Sequence, residues 1–172
     1  MTHRINLRLL VALLAVTFSS FTFAGQAAIT WGDTTTFTDI DPTNTSRQNF
    51  NKSLKRSFDE EFSNLAKRLP QGYLFSAHIT NIDLAGKVDI VAVTNGKKVR
   101  SLVGNTYFPQ MSFDYKVTDA NGTIVLEQAN VRIQDIYYFQ SVTSSIASST
   151  KFYYEFQMIE KWFKADVLTK VK

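Results

Sequence analysis

No cysteine occurs among the 172 residues, and glycine, proline and histidine are scarce, at 7, 3 and 2. Without a thiol there is no cysteine nucleophile, no thiolate zinc or iron–sulfur centre, and no lipid-modified cysteine to tether the chain to a membrane. The glycines are scattered, so no glycine-rich loop is offered to a phosphate. An excess of one charge is also missing, with 19 Lys plus Arg against 15 Asp plus Glu. What is present is 44% hydrophobic and 13% aromatic residues. That is the composition of one folded globular domain, not of a disordered, collagen-like or disulfide-stapled chain.

The front of the chain places His3, Arg4 and Arg8 ahead of an uncharged apolar run, Leu9 to Val16. Small and polar residues follow, ending at Gly25-Gln26-Ala27-Ala28. A basic start, an apolar centre and a small-residue exit form the pattern of a secretory signal peptide. A membrane-spanning helix needs roughly 20 continuous apolar residues, and Thr17, Ser19, Ser20 and Thr22 interrupt this run. Residues 1–27 are therefore expected to be a removed leader, with cleavage after Ala27 preferred and cleavage after Ala24 second. The leader takes Arg4 and Arg8 and no acid with it, leaving 17 basic against 15 acidic side chains. So balanced a surface offers no electrostatic footprint to nucleic acid. Residues 28–172 are expected to form a single periplasmic domain, with no transmembrane segment, large enough to fold without disulfides.

Residues 28–44 read as an extended segment, with an edge strand over Thr34 to Thr38 and a turn at Asp41-Pro42. From Thr45 the apolar period becomes helical: Phe50, Leu54, Phe58, Phe62, Leu65 and Leu69 form one stripe. Thr45 and Gln48 predict a capping box, and Pro70 with Gly72 a stop. Tyr73 to Ile79 alternates in period two, as a strand does, until the phase shifts near Asn81 and predicts a bulge. Asp83 to Gly86 reads as a turn, with Gly86 at positive φ. Asn95-Gly96 and Asn121-Gly122 predict hairpins with type I′ turns, the second joining a strand over Met111 to Val117 to a return strand from Thr123. After a Ser/Thr-rich loop, Ser141 to Thr150, a last helix carries Phe152, Phe156, Ile159, Phe163 and Val167. The predicted class is α+β, a mostly antiparallel sheet of about four to five strands with two amphipathic helices packed on it.

Reactive constellations are sparse. Beyond the leader His78 is the only histidine, so a general acid–base role would need a partner brought from elsewhere, such as Asp83 or Asp135. The aspartates do not alternate towards a closing glutamate as a calcium loop does. The serines of 141–149 lack a Gly-x-Ser-x-Gly elbow and a later histidine. No metal or cofactor is expected. Lys97-Lys98-Val99-Arg100 is a short basic patch beside a predicted turn. Tyr137-Tyr138-Phe139 with Phe152-Tyr153-Tyr154 is an aromatic cluster of the kind that packs cores and lines interfaces. If a functional patch exists, the candidates are Asp39, Asp83, Arg100 and Asp135, all near predicted strand ends where loops gather.

Several pieces form an ordered series. Phe37-Thr38-Asp39-Ile40, Leu69-Pro70-Gln71-Gly72, Ile82-Asp83-Leu84-Ala85-Gly86 and Tyr115 through Asp119-Ala120-Asn121-Gly122 come first. Asp135 with Tyr137, and Tyr154-Glu155 followed by Met158 and Trp162-Phe163, complete it. Together they resemble the exported bacterial domain-of-unknown-function family 3016, over about Thr34 to about Val167. Asn81 stands where that pattern has an acid, and Phe108 precedes Pro109 where a second proline is common. The resemblance implies an envelope-exported single domain and assigns no catalytic residue. The expectation is a non-enzymatic periplasmic accessory or binding module meeting an envelope protein or small ligand. The alternatives are a small periplasmic hydrolase using His78 with an Asp, and a carrier of a small apolar ligand between helices and sheet.

Overall fold

The computed structural model describes residues 24–91, 97–102, 106–140 and 151–171. Most of the expected leader, the Asn95-Gly96 turn and the Ser141 to Thr150 loop lie outside the described residues. Strand β1 (Gln26–Trp31) opens the fold, followed by helix α1 (Arg47–Ala66) and strand β2 (Leu74–Asp83). A short pair, β3 (Lys87–Val91) and β4 (Lys97–Ser101), precedes the long strands β5 (Gln110–Thr118) and β6 (Ile124–Gln134). Helix α2 (Tyr153–Trp162) ends in a π-helical turn, Phe163–Val167, where the Leu168 N–H reaches the Phe163 carbonyl at 3.0 Å. The main sheet has the order β1-β2-β5-β6, parallel between β1 and β2 and antiparallel elsewhere, while β3 and β4 form a separate antiparallel pair. This is the α+β class with two helices and mostly antiparallel strands. No helix among the described residues is long and apolar enough to cross a membrane.

The stripe read in α1 is the buried stripe: Phe50, Leu54, Phe58, Phe62, Leu65 and Leu69 are all interior. They meet the inward residues of every second strand position, among them Phe75, Ala77 and Ile79 on β2 and Met111, Phe113, Tyr115 and Val117 on β5. Aromatic rings fill the layer between helices and sheet. Phe62 stacks on Phe75 at 5.6 Å, Phe75 meets Phe163 at 5.3 Å, and Trp162 stands edge-on to Phe113 at 4.8 Å and to Tyr115 at 5.1 Å. Offset and edge-to-face pairs at these spacings add to the hydrophobic gain because ring edges are positive and ring faces negative. The layer where an apolar ligand carrier would hold its cargo is thus occupied by side chains among the described residues.

Several local readings shift. The segment expected as an edge strand at Thr34 to Thr38 is a turn, because the Asp33 carboxylate accepts from the Thr35 N–H at 2.9 Å and its hydroxyl at 2.7 Å. The edge strand is β1, eight residues earlier. The α1 cap is Ser46, whose hydroxyl accepts from the Asn49 N–H at 3.3 Å, one residue beyond the expected Thr45. The bulge near Asn81 is present as a register shift between Ile79 and Asn81. It frees the Asn81 amide to accept from the Thr38 N–H at 2.8 Å, binding the chain after β1 to the end of β2. The β5–β6 hairpin is not a two-residue type I′ turn. Gly122 has positive φ and Asn121 does not, and the loop closes on Asp119, whose carbonyl takes the Gly122 N–H at 3.0 Å.

Candidate functional site

Asn81 and its bulge deliver the Asp39 strand segment alongside Asp83 in a parallel bridge, with the Leu84 N–H on the Asp39 carbonyl at 3.0 Å. From the other side, Gly86 (φ +79°) turns the chain into β3 so tightly that a Cβ there would lie 2.5 Å from the Ser101 carbonyl oxygen. The β3–β4 pair thereby aims Arg100 inward. Its guanidinium grips Asp39 with two parallel bonds, Nη1 to Oδ2 at 3.0 Å and Nη2 to Oδ1 at 2.9 Å. The remaining donors reach the carbonyls of Gly86 at 3.1 Å and Asp41 at 3.3 Å. A planar fork facing a carboxylate is the strongest ordinary geometry for such a pair. The apparent basic patch at residues 97–100 therefore loses Arg100, which is a strut between three loops.

Three carboxyl groups surround this one cation. Burial pushes the Asp83 carboxyl above its usual range and the nearby negative charge of Asp39 adds to it, while Arg100 and Arg132 oppose. Gln110 donates to Asp83 at 3.3 Å. The third is Glu155, in the first turn of α2 and only 4% exposed. Its Oε1 accepts from the Ala85 N–H at 2.7 Å. Burial is the main force raising the Glu155 carboxyl; the bonds from the Ala85 and Glu155 N–H groups and the positive Arg100 pull it down, and Asp83 raises it again.

Three of the four candidate residues, Asp39, Asp83 and Arg100, are thus brought together, and Asp135 is not. Asp135 starts the turn after β6, accepting from the Tyr137 N–H at 3.1 Å, and pairs with Lys161 of α2 at 2.6 Å. Glu155 lies outside the four candidates although its spacing is readable, since it shares the helical face of Ile159 and Trp162, four and seven residues on. An acid on an apolar stripe signals a buried charge with a partner.

Above the network lies a cleft of about 210 Å³ lined by Phe50, Leu84, Arg100, Leu102, Phe152 and Glu155, among others. Lys151 stands at its rim, 2.8 Å from the Ser53 hydroxyl, with its ammonium 5.4 Å from the Phe50 ring centre and 5.1 Å from that of Phe152. Phe152 enters α2 with φ of 59°, a left-handed conformation costing an ordinary residue about 1–2 kcal/mol. Ring contacts with Phe58 at 5.5 Å and with Phe50 and Phe156 hold it there. The wall of the cleft is therefore fixed by packing.

His78 lies on the opposite, open face of the sheet. Its Nδ1 is 2.9 Å from the Thr30 hydroxyl, which also donates to the Ala77 carbonyl at 3.2 Å. The aspartate across the strand pair is Asp114, already accepting from the Asn130 N–H at 2.7 Å. Asp83 is five residues further along β2, roughly 16 Å at strand rise, and Asp135 lies beyond β6, so neither partner named for the hydrolase alternative meets His78. Among the described residues no group of three or more His, Asp or Glu could hold a metal ion.

Glu155 carries a pH prediction. Its carboxyl titrates higher in the folded chain than in the unfolded one, so the native state binds more protons between the two values. Its contribution to stability is full below the ordinary glutamate value of 4.5 and is lost as pH rises through the raised one. Glu155→Gln keeps an acceptor for Ala85 and removes that loss. Urea unfolding between pH 4 and 8 is expected to show a shallower fall in stability for the variant than for the parent. Equal slopes would mean that Glu155 is ordinary in the folded state.

Taken together, the molecule is a small α+β domain with helices on one sheet face and a cluster of three carboxyl groups around Arg100 beneath an aromatic cleft. Residues 25–165 match the family described as "Protein of unknown function (DUF3016)", and the chain belongs to that family. No curated protein and no solved structure matches the chain.

Proposed function

We propose that this chain is an exported protein of the bacterial envelope, and that the mature domain works in the periplasm as a non-enzymatic binding or accessory module. The basic start, apolar run and small-residue exit at the front of the chain support export. The observation that carries the binding reading is the cleft at the start of α2. Its floor is held by the Arg100–Asp39 fork and by Glu155, and its wall by Phe152 packed on Phe50, Phe58 and Phe156, with Lys151 at the rim. A concave, largely apolar site with a few fixed polar groups is the general form of a recognition site. The groups beneath it are spent on one another, which suits holding a partner better than turning over a substrate.

Two measurements test the reading. Cell fractionation should find the processed chain with periplasmic markers. A photo-crosslinking residue at Tyr153, beside the cleft, should capture a discrete adduct in intact cells, and the same residue at Lys116 on the open sheet face should not. Equal capture at both positions, or none at Tyr153, would refute the cleft as the binding surface. The hydrolase alternative has its own test. A His78→Ala chain that folds normally yet loses turnover on ester, peptide or glycan substrates would replace the binding reading.

A further inference from the structure

The start of β1 bears on where the leader ends. Gln26 donates its N–H to the Tyr73 carbonyl at 2.8 Å, and Gln26 and Ala27 pair with Leu74 and Phe75 as the first two rungs of the parallel ladder. Ala27 packs against the core. One residue earlier, Gly25 is buried against the carbonyl end of α1. A Cβ built on it would lie 2.2 Å from the Ala66 carbonyl oxygen and 2.8 Å from the Leu69 Cβ. Real Cβ atoms never approach a backbone oxygen so closely, so the fold demands glycine at this position. Ala24, immediately before it, is exposed. The match to the family also begins at residue 25. The integrated structure and the family pattern thus start together.

We propose that the leader is cut between Ala24 and Gly25, so that Gly25 is the first residue of the mature protein and β1 is delivered whole. The inference rests on the export reading. Hydrolysis of the Ala24–Gly25 amide by water leaves the Ala24 carboxylate on the leader and a new α-ammonium on Gly25. That ammonium would lie beside the C-terminal end of α1, close to the Ala66 carbonyl, where the helix dipole favours a cation. Ala24 supplies the small residue required before the cut. The other small-residue choice, after Ala27, would discard Gly25 and two of the six residues of β1 and leave the Tyr73 carbonyl without its strand partner.

The test is the N-terminus of the protein recovered from the periplasm of cells making the full chain, read by intact mass and N-terminal sequencing. The expected first residue is Gly25. The Ala27→Val chain, in which a β-branched residue fits the strand but is too large to precede a cut, should yield the same start, its mass shifted only by the substitution. The Ala24→Phe chain should lose the Gly25 start. A mature protein beginning at Ala28, or blocked processing in A27V with normal processing in A24F, would overturn the inference and leave export standing. Intact chain beginning at Met1 in the cytoplasm would instead overturn the export reading itself.

Discussion

Replacing Arg100 by Ala is expected to lower the unfolding free energy by about 3–5 kcal/mol, the range for breaking a buried ion pair from one side. The magnitude follows from what the side chain does. Its Asp39 partner is mostly covered, with side-chain exposures of 19% for Arg100 and 23% for Asp39. Asp83 and Glu155 both feel the same cation. Removing it strips Asp39 of its fork and takes from Asp83 and Glu155 a positive charge that both feel, and it also frees the Asp41 and Gly86 carbonyls. Urea denaturation reads the effect, and a loss under 1 kcal/mol would show the fork to be worth no more than a surface pair. Arg100→Lys retains charge but not the planar fork and should recover only part of the loss. The Asp39→Ala/Arg100→Ala chain should be no less stable than Arg100→Ala alone, because the principal stranded charge has been removed with its partner.

The second large effect belongs to the core. Phe75→Ala is expected to cost about 3–5 kcal/mol, the usual range for emptying a buried phenylalanine site. Phe75 is fully buried and its ring touches Phe62, Tyr115, Trp162 and Phe163, so a void there sits between β2, β5, α1 and the π-helical turn after α2. Four large rings cannot close such a gap without leaving their own packing. Tyr137→Ala is the matched control. Tyr137 is 60% exposed, and a surface truncation away from structural features stays within roughly 0.5 kcal/mol. Thermal unfolding of the two variants should therefore separate widely, and similar losses would mean that the ring lattice contributes no more than ordinary surface contact.

The sequence carried some of this and not the rest, for reasons that lie in range. The α1 stripe from Phe50 to Leu69 was readable because helical period is a local property, and the β5 alternation from Met111 to Val117 because strand period is too. The bulge at Asn81 announced itself by a change of phase. The cap slipped by one residue because Thr45 and Ser46 can both accept an N–H, and only the backbone decides between them. β1 was hidden because the small residues at a leader's exit and those at the start of a short strand look alike. It forms by pairing with Leu74 to Ile79, nearly 50 residues away in sequence, and that pairing has no local signature. At the site, aspartates near strand ends were a fair guide to Asp39 and Asp83. The Arg100–Asp39 fork joins residues 61 apart, so proximity could be guessed only for the set. Asp135 satisfied the same rule and went to Lys161 instead.

Position within the sheet also sets how firmly each strand is tied in. β1 and β6 are the two edge strands, and β1 alone of them is joined to the sheet by parallel pairing, through β2. Fraying is therefore expected to begin at this margin, where the ladder runs to one neighbour only. The Gly25 niche, where the backbone sits close against Ala66 and Leu69 at the end of α1, is the latch that keeps this margin shut.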